Sequence, residues 1–179
     1  MRTDHAHTIV LGLGNPVLSD DAVGLKVAEA LRGLLRERPL RGINVACSTR
    51  GGFELLDLLS GYGRAVIVDA LTLPEPTPGR VHQLDLSKLS GMARLVGSHD
   101  ISLSQAFLLA EQLGIPMPAE IIIFGVEAGE VHELSEEPTP PVARIVEPLA
   151  MQIHDLLAGL ETPLAGEDQM VFPGAFCAP

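Results

Sequence analysis

Three short runs hold nothing but apolar side chains: Ile9–Leu11, Ala65–Val68 and Ile121–Phe124. A strand with one face in water alternates apolar and polar residues, whereas a strand covered on both faces is apolar throughout. Buried strands of this kind need helices on both sides of their sheet, and the intervening segments supply them. Between Asp20 and Arg38, Val23, Val27, Ala30, Leu31, Leu34 and Leu35 recur at helical spacing, and Pro39 closes that helix. Ile43–Cys47 reads as a second strand. Gly51-Gly52 opens a helix carrying Phe53, Leu55, Leu56, Leu58 and Leu59, which Gly61 and Gly63 stop. Arg80–Leu86 partly alternates and predicts an edge strand. Ile101–Leu113 predicts a third helix, and Val142–Leu160 a last one with Pro148 as an internal kink. Leu73–Gly79 and the acidic Glu127–Pro141 stretch are loops, and Ser87–Ser98 fits no template. Strands alternating with helices predict an α/β fold, a three-layer α/β/α sandwich around a mostly parallel, roughly five-stranded twisted sheet. Residues 1–160 form one domain, and beyond Glu161 the periodicity gives way to recurring Gly and Pro, so 161–179 is expected to be a flexible tail.

Aromatic residues make up only 3% of the 179, so the core must be built from Leu, Val, Ile and Ala. A formal net charge of −11 argues against nucleic acid as a partner, because neutralising phosphates takes clustered Lys and Arg. No apolar run reaches membrane-spanning length, and the first residues lack a charged-then-apolar secretion pattern. Cys47 and Cys177 have no metal-type spacing and suggest no oxidising compartment. The expectation is a soluble cytoplasmic protein. Nothing in the sequence fixes an oligomeric state.

The chemistry-bearing residues fall where the strands end. The first strand runs into Gly12-Leu13-Gly14-Asn15-Pro16 and then Ser19-Asp20-Asp21. Ser19 or Asp20 can cap the following helix, which leaves Asp21 to face the crevice where sheets of this kind bind ligands. Asp69 ends the third strand, and an acid after four apolar residues must find a partner if it is buried. Thr49-Arg50-Gly51-Gly52 follows the second strand, and His99 lies in a Gly97-Ser98-His99-Asp100 turn before the third helix. Asp21, Asp69 and His99 together would make an O,O,N set for a divalent transition metal with open coordination positions. Taken singly, two of them have a plainer reading, a helix cap for Asp21 and a turn or capping residue for His99, whereas Asp69 is harder to dismiss. His5, His7, His82, His132 and His154 show no ligand spacing, and Glu136-Glu137 is a solvated loop. Cys47 reads as a core residue at a strand end, with a thiol nucleophile as its functional alternative. A dinucleotide fingerprint would need Gly where Val17 stands and an acid ending the second strand.

Gly12-Leu13-Gly14-Asn15-Pro16 resembles the opening of peptidyl-tRNA hydrolases, but the further Gly and the later Arg-His-Asn of that family are missing. The order and spacing over Thr8–Leu160 resemble the hydrogenase maturation endopeptidases instead. The matching residues are Gly12-x-Gly14-Asn15, Asp20-Asp21, Gly24, Thr49-x-Gly51, Leu55-Leu56, Asp69, Ser98-His99, Gly125-Val126-Glu127, Leu134-Ser135 and Val142. That resemblance implies an endopeptidase that removes the C-terminal extension of a hydrogenase large-subunit precursor. It also implies that Asp21, Asp69 and His99 contact nickel carried by the substrate, with no permanently bound cofactor. Many members carry Glu at the position of Asp21, and the shorter arm keeps the oxygen but changes its reach. Water is the implied attacking group, driven by a carboxylate of Asp21 or Asp69 or by a metal-bound hydroxide. The rival from another class is a non-catalytic chaperone that grips the metal-loaded precursor.

Overall fold

Successive residues of the apolar runs point to opposite faces of one sheet, and each face is covered by its own pair of helices. The computed structural model describes residues 7–49, 54–85, 94–95 and 103–160. Its strands are β1 (Thr8–Leu13), β2 (Ile43–Ser48), β3 (Arg64–Thr72), β4 (Val81–Asp85), β5 (Arg94–Leu95) and β6 (Glu120–Glu127). Its helices are α1 (Val23–Glu37), α2 (Glu54–Leu59), α3 (Leu103–Leu113), α4 (Pro140–Ala143) and α5 (Val146–Leu160). Val10, Val66, Val68, Phe124 and Val126 meet Val27 and Leu31 of α1 and Leu149, Ile153 and Leu157 of α5. Ile9, Leu11, Ala65, Ile67 and Ile123 meet Leu55 and Leu59 of α2 and Phe107 of α3 on the other face. This is the three-layer sandwich that the apolar runs require.

The strand order is β2-β1-β3-β6-β4, with the two residues of β5 pairing the end of β3. β1, β2, β3 and β6 are mutually parallel, and β4 runs antiparallel along β6 as an edge strand. From β1 the chain moves outward to β2, then returns to lay β3 on the opposite side of β1. The strand order therefore reverses between β1 and β3, which opens a crevice at their C-terminal ends.

Two local expectations need correction. Asp69 does not end its strand: β3 runs on to Thr72, because β6 keeps pairing with it as far as Leu71↔Glu127. β1 stops pairing at Gly12↔Val68, so Asp69 sits just where β3 loses its neighbour on that side. Pro148 does not kink a continuous helix. The chain breaks between α4 and α5 instead, and Pro148 falls in the first turn of α5, where a missing N–H leaves no helical bond unmade. The candidate ligand His99 and the segment 161–179 lie outside the described residues.

Candidate active site

The start of α1 is pressed against the β1–β3 junction. A Cβ on Gly24 would stand 2.2 Å from the carbonyl oxygen of Leu13 and 2.3 Å from that of Val68, so only glycine fits there. Gly14 has φ +143°, and a Cβ on it would come within 1.9 Å of the Asp21 carbonyl oxygen. These two glycines let the loop after β1 fold back over a 3₁₀ turn, Ser19–Ala22, that sits directly above the crevice.

Within that turn the adjacent carboxylates part company. Asp20 is fully buried and accepts four hydrogen bonds: from the backbone N–H of Gly129 at 2.8 Å, Glu130 at 3.0 Å and Thr139 at 2.6 Å, and from Thr139 Oγ1 at 3.0 Å. The expected helix cap is therefore corrected, since neither the 3₁₀ turn nor α1 has a side-chain cap bond. Donors supplied by the 129–139 loop satisfy Asp20 in place of the helix N-terminus. Asp21, 7% exposed, is treated otherwise. Its Oδ2 accepts from the Asn15 N–H at 3.0 Å, while Oδ1 is buried with no hydrogen-bond partner among the described residues.

Asp69 is 3% exposed and its Oδ1 accepts from the Ala70 N–H at 2.8 Å. Burial pushes its carboxyl well above the usual 3.8, the nearby charge of Asp21 pushes it further, and the Ala70 bond offsets part of the rise. Burial also raises Asp21, against the lowering effect of its Asn15 bond. The crevice thus holds two neighbouring carboxyl groups that both resist ionisation, with few donors between them. Perturbation of this kind by desolvation plus a specific charge partner, in a cleft, makes the pair the candidate functional acids.

The other candidates distribute around this pair. Among the described residues no group of three His, Cys, Asp or Glu side chains forms a metal-holding cluster. Cys47, near the end of β2, is not a free thiol, which removes it as a nucleophile. His154 is buried on α5 with Nε2 2.9 Å from the Arg38 carbonyl oxygen, a structural role. His82 likewise has a structural role, its Nε2 lying 2.6 Å from Oε1 of the buried Glu127. Glu127 also accepts from the Thr77 N–H, and these bonds hold its carboxyl below the ordinary value. A direct reading of side-chain chemistry passed over Glu127, although it carries the same signal as Asp69: an acid after an apolar run.

The model of a protein family described as hydrogenase maturation protease (HycI) matches residues 26–156. This chain belongs to the hydrogenase maturation protease family. The hydrogenase 2 maturation protease of Escherichia coli K12 is 26% identical over 150 residues, covering 81% of this chain and 87% of that one. The hydrogenase expression/formation protein HupD of Thiocapsa roseopersicina is 26% identical over 162 residues, covering 88% and 70%. The solved structure of the hydrogenase-maturating endopeptidase HybD from E. coli superposes with a TM-score of 0.67 at 24% identity, covering 86% of this chain and 93% of that one. A maturation protease structure from Thermococcus kodakarensis gives 0.62 at 24% identity, covering 87% and 95%. The fold of these hydrogenase maturation proteases is the fold described above, and membership supports an endopeptidase role in hydrogenase maturation.

Proposed function

We propose that this protein removes the C-terminal extension of a nickel-loaded hydrogenase large-subunit precursor, with Asp21, Asp69 and His99 contacting the nickel that the substrate carries. The observation that carries this reading is Asp21 Oδ1, a buried carboxylate oxygen without a donor among the described residues. Such an atom costs about 1–3 kcal/mol, and a cation arriving with the substrate would supply the missing partner. Two carboxyls that both resist ionisation fit the same account. A divalent cation stabilises both ionised forms and displaces the proton that burial retains.

Hydrolysis then adds water across the amide. Asp69, ionised beside the cation, takes a proton from the attacking water. That proton passes to the departing amine nitrogen, giving a new C-terminal carboxylate and a free peptide. Asp21, tethered through Asn15, holds the cation, and His99 completes the donor set with nitrogen.

Mass spectrometry of nickel-loaded precursor incubated with the protein tests this. The wild type is expected to release the C-terminal peptide, Asp69→Asn to slow release by about 10²–10⁴-fold, and His99→Ala to weaken precursor binding. Full cleavage by Asp69→Asn removes that residue from the mechanism. A precursor that is bound but keeps its mass in the presence of wild type favours the chaperone reading instead.

A further inference from the structure

The loop that Asp20 clamps ends in an unusual exposure. Leu134 is 79% exposed, yet the backbone around it is tied down on every side. Asp20 holds Gly129, Glu130 and Thr139. Glu130 Oε1 accepts from the N–H groups of His132 at 2.6 Å and Glu133 at 3.0 Å. Ser135 Oγ donates to the Glu137 carbonyl at 2.8 Å and accepts from the Glu137 N–H at 3.2 Å. The Ser135 N–H donates to the Val17 carbonyl at 3.1 Å, and Leu18 forms a β-bridge with Leu134. Val17, itself 47% exposed, belongs to the loop whose Asn15 N–H holds Asp21. Two exposed apolar residues thus stand on one stiffened rim, joined by main-chain bonds to the carboxylate crevice. The other large exposed apolar residues, Leu108, Leu113 and Met151, lie on helices α3 and α5, where scattered exposure is ordinary.

Charge narrows the identity of what binds there. Glu133, Glu136 and Glu137 are exposed around Leu134, and the one cation paired with them in the described structure is Lys26, 3.5 Å from Glu137. An exposed leucine in a segment carrying exposed Glu133, Glu136 and Glu137 is complementary to an apolar patch bordered by Lys or Arg.

We infer that Leu134 and Val17 form the seat of the precursor on this protease, receiving an apolar side chain flanked by basic residues. This rests on the function proposed above. A loop ordered before binding loses little entropy on docking, which suits a recognition element. Because the contact is made equally in the ground and transition states, it sets KM and leaves kcat alone.

The test uses nickel-loaded large-subunit precursor, with cleavage followed by mass spectrometry and binding of the precursor measured separately. Leu134→Ala combined with Val17→Ala is expected to raise KM and Kd by about tenfold at unchanged kcat, with unaltered thermal unfolding. Glu133→Lys with Glu136→Lys is expected to raise both constants at low salt, the difference shrinking as ionic strength rises. Constants within twofold of wild type for the apolar double variant overturn the inference. So does a fall in kcat at unchanged KM. If wild type binds the precursor without cutting it, the proposed function fails, and the Kd comparison still decides the docking surface.

Discussion

The four buried carboxylates among the described residues divide into two pairs by the donors they receive. Asp20 and Glu127 are surrounded by donors from distant segments: Asp20 binds Gly129, Glu130 and Thr139, and Glu127 binds Thr77 and His82. Among the described residues Asp21 and Asp69 have one backbone donor each, Asn15 and Ala70, and Asp21 keeps an oxygen unpaired. Burial is similar in all four. What separates the pairs is supply: a carboxylate well supplied with donors fastens loops together, whereas burial with few donors raises the carboxyls of Asp21 and Asp69. The two kinds can be adjacent in sequence, as Asp20 and Asp21 are.

Substitution can break this contrast, and the largest effect belongs to the starved pair. Asp69→Asn or Asp21→Asn is expected to cut precursor processing by about 10²–10⁴-fold while the protein still unfolds cooperatively, as read by mass spectrometry and thermal melting. Next comes Asp20→Ala, which strands three backbone N–H groups and the Thr139 hydroxyl. It should cost about 3 kcal/mol in denaturant titration and loosen the 129–139 loop in hydrogen exchange. If Asp20→Ala proved harmless to stability while abolishing turnover, the division between the pairs would collapse.

Smaller effects sharpen the contrast through pH, because Asp69 and Glu127 are shifted in opposite directions. The carboxyl of Asp69 is raised in the folded state, so the wild type loses stability as pH climbs from 3.8 toward the raised value. Asp69→Asn escapes that loss. Its melting temperature should match wild type in acid and exceed it near neutrality. Glu127 is lowered from 4.5, so its contribution is complete above that value and disappears as pH falls through the lower folded one. Glu127→Gln should therefore be less stable than wild type at neutral pH, with the gap closing in acid. Melting curves across pH that moved the two variants in the same sense would refute the assignment.

Much of the architecture was legible from period and punctuation. The apolar runs at Ile9, Ala65 and Ile121 announced strands covered on both faces, and Pro39 and Gly61 marked where helices stop. Pro148 misled because its effect depends on its place within the helix, and a break at Arg144-Ile145 made its position harmless. The extension of β3 past Asp69 was hidden because it depends on pairing with β6, a strand more than fifty residues away.

The sequence by itself determined that the chain builds a mostly parallel sheet between helical layers and that acids stand at the strand ends. Hydrophobic periodicity is local, and burial on two faces leaves a pattern within a single strand. Only the tertiary structure decided what each acid does. The sequence offered Asp20 as a helix cap and Asp21 to the crevice, and the structure satisfies Asp20 with donors from residues 129–139 in place of the helix N-terminus. A hydrogen-bond partner more than a hundred positions distant leaves no mark on the residue that accepts it.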